Sequence, residues 1–275
     1  MKVTLEVWRQ KGPDSEGAFE HYEMHDVDPF GTLFDLLESL NKQLTAGGLD
    51  PVSYDYACKR GDCGRCAMLI NGVPHGPESQ TTTCQVRLSR FVEGEVITIA
   101  PFRIPAFPLI KDLRIDRSCL ERLIEAGGFE RATTTQGLID FETGEYRSPA
   151  APEFDEMGHY VPDPDQCITC GACVMACPNG ASSMFQAVQW KRKKAIRGEV
   201  QALWGGVLDA QMAAASAGSF GSCSDHRLCE TVCPKNLKSE WITELQRDFG
   251  RLAWWRLCFR NPLAKASSSM EVSPD

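Results

Sequence analysis

The apolar positions at the start of the chain alternate with polar ones, as in a strand that buries one face. Val3, Leu5 and Val7 place every second side chain of residues 1–8 on one side, which predicts a first strand. A turn-rich stretch, KGPDSEG, separates it from a second candidate strand at 18–24. The two segments together predict an N-terminal hairpin.

Residues 32–44 change to the helical period. Their apolar side chains recur every three or four positions, at Leu33, Leu36, Leu37, Leu40 and Leu44. Thr32 is a suitable N-cap, and Gly47 with Gly48 is expected to end the helix. Strand patterns return at 67–70 and 95–100. This order of strands and one helix, with cysteines in the loop after the helix, predicts a small β-grasp domain.

The chain beyond residue 100 is patterned differently. Residues 101–117 carry three prolines and predict an extended connector, because proline interrupts a helix. A helical pattern begins at Ser118, and the Thr, Pro and Gly of 132–164 predict an irregular surface segment. Helices then dominate in three predicted ranges: 181–197, 200–217 and 238–258.

Composition narrows the class of protein. The 275 residues carry a net charge of −8, which argues against nucleic acid as a partner. We find neither a signal peptide, nor a transit leader, nor an apolar stretch of the roughly 18–20 residues that span a bilayer. These features favour a prokaryotic cytoplasm, although a mature organellar protein is expected to look the same. In such a reducing compartment, the thirteen cysteines predict metal ligands rather than disulfides.

The first group of cysteines has the spacing of plant-type [2Fe–2S] proteins. Cys58, Cys63 and Cys66 form a C-x4-C-x2-C run in CKRGDCGRC, and Cys84 follows eighteen residues later. The glycines of that run suit a loop whose N–H groups point at a negatively charged cluster. The alternative is a zinc ribbon, but zinc sites usually pair their cysteines as two short knuckles.

The second group is divided between two runs. CITCGACVMACP has the C-x2-C-x2-C-x3-C-P spacing of bacterial two-cluster ferredoxins, in which the fourth cysteine serves the other cluster. The partner run is C-x5-C-x3-C-P. If the last cysteine of each run serves the cluster of the other run, the [4Fe–4S] site consists of Cys167, Cys170, Cys173 and Cys233. The same rule leaves three thiolates for the last site: Cys177, Cys223 and Cys229.

A histidine stands where the last site lacks a cysteine. His226 lies in the middle of the C-x5-C interval. Three thiolates suit a [3Fe–4S] cluster, so His226 is then a polar neighbour, and a histidine-capped [4Fe–4S] cluster is the alternative. A structural zinc site is the third interpretation of the region. Cys119 and Cys258 remain, and we interpret them as ordinary half-buried thiols.

These elements and motifs predict an α+β fold with two cluster-binding domains. Residues 1–110 form the β-grasp domain of a plant-type [2Fe–2S] ferredoxin together with the connector. Residues 111–260 form an all-α domain of the bacterial two-cluster ferredoxin type, holding the [4Fe–4S] and [3Fe–4S] clusters. Residues 261–275 form a disordered tail.

The chain resembles the iron–sulfur subunits of succinate dehydrogenase and fumarate reductase from its first strand to about residue 250. The similarity lies in the order of the clusters, in the connector FPLIKDLRIDRS, and in the runs CITCGACVMACP and CETVCPKNL. It implies a flavoprotein partner with FAD that oxidises succinate. It also implies a membrane-anchor subunit, with cytochrome b as a candidate, at which a quinone accepts the electrons.

At the quinone end the chain departs from familiar members of the family. NGASSMF follows Cys177-Pro178, where many relatives have adjacent tryptophans, and Ser224 stands where a histidine often follows the counterpart of Cys223. These changes resemble the actinobacterial subgroup, which makes menaquinone a candidate acceptor. Pro178, His226 and Lys235 are the candidate quinone-side or cluster-neighbouring residues.

Basic residues in two segments bear on docking. From 235 to 260 there are six Lys or Arg against three Asp or Glu, together with Trp241, Trp254 and Trp255. This segment predicts either a membrane-interface helix or a core helix with a solvated basic face. A second basic run predicts a solvated helix face: Lys191, Arg192, Lys193, Lys194 and Arg197.

The resemblance predicts a subunit peripheral on the cytoplasmic face of the cell membrane, held there by the anchor. A fumarate reductase running in the reverse direction is the alternative within the family. An electron-transfer subunit of another dehydrogenase and a metal-stabilised scaffold are the alternatives outside it. The chain shows no dinucleotide-binding glycine motif of its own, so the organic redox chemistry is expected in a partner.

Overall fold

The computed structural model describes most of the chain. The described residues are 1–127, 153–154, 157, 160–197 and 201–258. Most of the predicted irregular segment at 132–164 and the whole predicted tail at 261–275 lie outside them.

Five strands and one helix make up the N-terminal part of the chain: β1 (Val3–Arg9), β2 (Ala18–Met24), α1 (Leu33–Ala46), β3 (Leu69–Ile70), β4 (Val73–Pro74) and β5 (Val96–Ala100). The strands form one sheet in the order β2-β1-β5-β3-β4. β1 runs parallel to β5, and the other neighbours are antiparallel. This mixed sheet with one helix packed on it confirms the predicted β-grasp arrangement.

The core of this part comes from the alternating face of β1 and the apolar stripe of α1. Val3, Leu5 and Val7 are all 0% exposed. The helix begins after Thr32, whose hydroxyl accepts from the Asp35 N–H at 3.2 Å while the Asp35 carboxylate accepts from the Thr32 N–H at 2.8 Å. This capping box satisfies two N–H groups that a helix end leaves free. The predicted hairpin, helix and N-cap are therefore confirmed.

The proline-rich connector contains no helix, as predicted, but it does contain a small hairpin. Its two strands are β6 (Leu109–Lys111) and β7 (Arg114–Ile115). At the turn, buried Asp112 accepts hydrogen bonds from the Gln10 and Ser53 N–H groups, both at 2.9 Å. Leu113 packs in the first core and Ile115 in the next. The connector is thus a packed joint between the two halves of the chain.

The remainder of the described chain is mainly helical. Its elements are α2 (Ser118–Ala126), β8 (Glu153–Phe154), β9 (Tyr160–Val161), α3 (Ala172–Ala176), α4 (Ser183–Arg197), α5 (Gln201–Ala217), α6 (Leu228–Thr231) and α7 (Glu240–Cys258). The three long predicted helices are confirmed within three residues at each end. The α+β class is also confirmed. The all-α description of this half needs a correction, since β8 and β9 form a two-stranded sheet.

The long helices pack through apolar faces, and two basic residues take part. Trp241 of α7 is 4% exposed and lies in a core with Trp190 of α4. At Trp241 the helix is therefore a core helix, the second of the two predicted alternatives for this segment. Lys191 pairs with Glu244 at 2.6 Å, and Arg192 is only 5% exposed. The predicted solvated face is therefore wrong for Arg192. The side chains of Trp254 and Trp255 lie outside the described part of the chain.

Candidate metal centres

The four cysteines of the N-terminal half form one group. Cys58, Cys63 and Cys66 lie in the loop between α1 and β3, and Cys84 lies in a short turn before β5. The thiols of Cys58 and Cys63 are hydrogen-bonded to each other, those of Cys66 and Cys84 are likewise paired, and Cys63 interacts with Cys66. The structure thus brings together the four cysteines that share the predicted [2Fe–2S] spacing.

Backbone N–H groups point at the sulfur atoms of this group. The Arg60 and Asp62 N–H groups each donate to Cys58 Sγ at 3.3 Å, and the Gly61 N–H donates to Cys84. Gly61 has φ +83°, and a Cβ there would stand 2.3 Å from the Gln85 side chain. Glycine suits this tight turn, because other residues rarely adopt that φ.

These neighbours set the thiol pKa values. The hydrogen bond with Cys66 lowers the pKa of Cys84 to about 6, despite burial, while the same bond and burial raise the pKa of Cys66. Burial opposes ionisation of Cys58, but the two N–H donors outweigh it and its pKa is lowered. The thiolate is the metal-binding form, so these surroundings favour it at Cys58 and Cys84, whereas the pKa values of Cys63 and Cys66 are raised.

The second group joins cysteines from both runs around one cavity. It has a volume of about 400 Å³, part of it open to solvent, and its lining includes Cys167, Cys170, Cys173 and Cys233. Burial raises the pKa of Cys170 to about 12. The Leu237 N–H donates to Cys233 Sγ at 3.5 Å. A cavity lined by four thiols, with an N–H donor at one of them, fits a cluster ligated by sulfur.

The third group contains the remaining three cysteines of the two runs. Cys229 interacts with Cys223 and Cys177, and burial raises its pKa to about 11. Asn179 Nδ2 donates to the Ser222 carbonyl oxygen and the Ser224 hydroxyl, both at 2.8 Å.

The backbone also holds the two loops of this group together. A Cβ on Gly221 would stand 1.8 Å from the Asn179 carbonyl oxygen. Gly221 also forms a parallel bridge with Ala181. The turn after Cys177 and the turn before Cys223 are therefore in direct contact.

The other predicted site residues occupy different surroundings. Pro178 and His226 are exposed. Lys235 is half-buried and lies 3.6 Å from the Asp62 carboxylate, in the loop of the first group. In this structure Lys235 is therefore a neighbour of the cysteine groups and bridges the two halves of the chain.

Three residues near the sites had no signal in the sequence patterns. Arg117 donates to the Gly64 and Cys170 carbonyl oxygens at 2.6 and 3.2 Å. Arg192 donates to the Cys167 carbonyl oxygen at 3.2 Å. Buried His75 lies 3.2 Å from the Thr83 hydroxyl, and burial lowers its pKa to about 4. The two arginines join parts of the chain 53 and 25 residues apart, which no local pattern reveals.

Two absences hold for the residues that the structure describes. No group of three or more His, Cys, Asp or Glu side chains among them is arranged to hold a single metal ion. None of the described helices combines the length and the apolar character needed to cross a membrane.

The β-grasp fold with its group of four cysteines, joined to a helical half that gathers the cysteines of two runs, defines a ferredoxin-type iron–sulfur protein. Comparison with known families agrees. Residues 4–122 match the model of a 2Fe–2S iron–sulfur cluster binding domain, and residues 163–237 match that of a 4Fe–4S dicluster domain.

Two curated relatives align over most of the chain. The chain is 27% identical to the fumarate reductase iron–sulfur subunit of Wolinella succinogenes over 250 residues, covering 86% of this chain and 91% of the relative. It is 25% identical to the succinate dehydrogenase iron–sulfur subunit of Bacillus subtilis over 247 residues, covering 88% and 90%. The chain is thus similar to the iron–sulfur subunits of succinate dehydrogenase and fumarate reductase over 86–88% of its length.

A solved structure has the same fold. It is described as the Mycobacterium smegmatis Sdh1 complex in the apo form, and one of its chains aligns with a TM-score of 0.53 at 19% identity. The alignment covers 95% of this chain and 98% of that one. The likeness therefore extends over both halves of the molecule.

Proposed function

We propose that this chain is the electron-transfer subunit of a membrane-bound succinate:quinone oxidoreductase, respiratory complex II. The observation that carries the proposal is the serial arrangement of the three cysteine groups. Gly64 of the first loop touches the backbone of Ile168 and Cys170 in the second. Cys173 of the second group in turn interacts with Cys229 of the third. Bound clusters supply one-electron carriers, and this order suits a linear relay.

Each of the three cysteine groups supplies the ligands of one iron–sulfur cluster. Cys58, Cys63, Cys66 and Cys84 hold the [2Fe–2S] cluster. The crossed allocation of the two runs gives the [4Fe–4S] cluster its four ligands: Cys167, Cys170, Cys173 and Cys233. The shared cavity of those four side chains supports this allocation. The [3Fe–4S] cluster is held by the three that remain: Cys177, Cys223 and Cys229.

The likeness to subunits of larger complexes supports the choice of partners. A flavoprotein subunit with FAD carries out the succinate–fumarate reaction, and a membrane-anchor subunit, with cytochrome b as a candidate, presents the quinone. Menaquinone is the candidate acceptor, and the chain sits on the cytoplasmic face of the membrane through the anchor. The relatives carry the names of both succinate dehydrogenase and fumarate reductase, so the proposal covers both directions of the reaction.

Purification of the tagged chain from its own cells, without oxygen, tests the proposal. We expect an FAD-containing subunit and a membrane subunit to co-purify, and succinate to reduce the quinone pool. Low-temperature EPR is expected to show a three-iron signal in the oxidised complex and a [2Fe–2S] signal after reduction. Zinc in place of iron, or a chain that never co-purifies with a flavoprotein, would refute the assignment.

Changing His226 tests the type of the third cluster. His226 is exposed and occupies the place where a fourth thiolate is expected in a four-iron site. His226→Cys is therefore expected to convert the three-iron cluster into a four-iron one, seen as loss of the oxidised three-iron EPR signal. His226→Ala should leave that signal unchanged.

Ser222→Cys is the matched control for this conversion. It adds a cysteine beside Cys223, outside the interval between Cys223 and Cys229, and Ser222 is exposed as His226 is. The control should keep the three-iron signal. A His226→Ala protein with an altered cluster would instead make the histidine a ligand.

A further inference from the structure

Arg117 joins the loops of the first two cysteine groups. It lies just before α2, and its Nη1 donates to the carbonyl oxygens of Gly64 at 2.6 Å and Cys170 at 3.2 Å. Its Nη2 donates to the Arg65 carbonyl oxygen at 3.1 Å. One guanidinium therefore holds the backbone of both loops at once, which suits its rigid fork of donors.

The two loops meet at the place that Arg117 spans. A Cβ on Gly64 would stand 2.2 Å from the Ile168 carbonyl oxygen and 3.1 Å from the Cys170 backbone nitrogen. The loops are therefore in backbone contact, with no side chain between them. Arg117, at the end of the connector, donates hydrogen bonds to both loops at this contact.

The charge of Arg117 acts on both groups of thiols. Its guanidinium interacts with Cys170 of the second group and Cys66 of the first. The other charged neighbours that influence it are Arg65 and Asp55, and Asp55 is itself paired with Arg114 at 2.8 Å. Burial lowers the pKa of Arg117, but an arginine remains charged at every relevant pH. Partly shielded from water, this charge is screened less than one on the surface.

We propose that Arg117 is a positioning residue that locks the [2Fe–2S] and [4Fe–4S] loops together and raises the reduction potential of both clusters. The inference rests on the proposed function, since it needs both clusters bound. Each cluster accepts one electron and passes the same electron on, so the reduced state carries one more negative charge. A fixed positive charge stabilises that state, and no bond or proton at Arg117 changes.

Arg192 provides a matched comparison. It donates to the Asp165 carbonyl oxygen at 2.9 Å and to the Cys167 carbonyl oxygen at 3.2 Å. Its Nε lies 3.1 Å from the Asp165 carboxylate, which offsets its charge. Of the cysteine loops, Arg192 is hydrogen-bonded to that of the second group and not to that of the first, so its removal should not change the [2Fe–2S] potential.

An EPR-monitored redox titration of the purified complex tests the proposal in Arg117→Gln, Arg117→Lys and Arg192→Gln. In Arg117→Gln the equilibrium constants for reducing the [2Fe–2S] and [4Fe–4S] clusters should each fall about tenfold, or ~59 mV for a one-electron couple. Arg117→Lys, which keeps the charge, should stay within about twofold, a shift of less than ~20 mV by the same conversion. The three-iron cluster should titrate as in the wild type throughout, which a general loosening of the fold would not allow.

Two outcomes would overturn the inference. One is an Arg117→Gln protein with both clusters present and unshifted potentials. The other is an Arg117→Lys protein shifted about tenfold, which decides the question even where the glutamine variant fails to assemble. A wild-type protein that lacks the clusters would refute the proposed function instead, so the two failures are distinguishable.

Discussion

Replacing Cys233 with alanine is expected to abolish the [4Fe–4S] cluster and leave the other two clusters in place. Cys233 belongs to the second cysteine run, yet its side chain lines the same cavity as Cys167, Cys170 and Cys173 of the first run. Iron content should fall from about nine to about five atoms per chain, because four irons leave with one cluster. Metal analysis and EPR measure the change, and succinate-driven quinone reduction should be lost with it.

The result separates the crossed allocation from a simple one in which each run holds its own cluster. With uncrossed runs, Cys177 completes the four-iron site of the first run, and Cys233 serves the three-iron site. Cys233→Ala then removes the three-iron signal and spares the four-iron one. Loss of the three-iron signal alone in this variant would therefore contradict the crossed ligand sets.

Two matched variants complete this experiment. Cys229→Ala should remove the three-iron signal and keep the [4Fe–4S] cluster, the opposite of Cys233→Ala. Cys119→Ala removes a buried thiol that donates to the Ala106 carbonyl oxygen at 3.0 Å, outside the three groups. It should keep all three clusters, which shows that loss of a buried cysteine is not itself the cause.

Local patterns predicted most of the fold because they report on local physics. The alternation of Val3, Leu5 and Val7 predicts a strand because successive side chains point to opposite faces. Thr32 begins α1 because its hydroxyl satisfies an N–H that the helix leaves free. Each short cysteine run lies in one short segment, so its spacing predicts which thiols share a cluster, and the allocation between the two later runs stays a prediction.

Charged residues were predicted less well, for a physical reason. Arg192 stands in a basic run that predicts a solvated face, yet it is buried against the Cys167 loop. Lys235 bridges to Asp62 across the joint between the two halves. Long cationic side chains can bury their stems and still reach a distant acceptor, so their partners depend on tertiary contacts that a one-dimensional pattern does not contain.

Replacing Gly64 with alanine is expected to destabilise the joint between the two halves by about 3–5 kcal/mol, at the upper end for single substitutions. The added Cβ would stand 2.2 Å from the Ile168 carbonyl oxygen and 3.1 Å from the Cys170 Cα. Both are backbone atoms, so no flexible side chain can move aside. Gly64 also has φ +64°, which adds strain for a residue with a Cβ.

Gly72→Ala is the matched control, because Gly72 has φ +77° and nothing within 4 Å of the added Cβ. Gly72→Ala therefore adds only the backbone strain, about 1–2 kcal/mol. The difference in destabilisation between the two variants measures the steric clash of the Gly64 Cβ with the second loop. Calorimetry of the anaerobic complex measures the fall in Tm of each variant. A destabilisation of about 1 kcal/mol corresponds to a fall of roughly 2–4 °C. Equal shifts would mean that the loops do not touch. We expect a larger fall in Tm for Gly64→Ala than for Gly72→Ala. We also expect lower reduction potentials of the [2Fe–2S] and [4Fe–4S] clusters, because Arg117 then loses its Gly64 acceptor. Both results together would mean that the same contact stabilises the fold and tunes the two potentials.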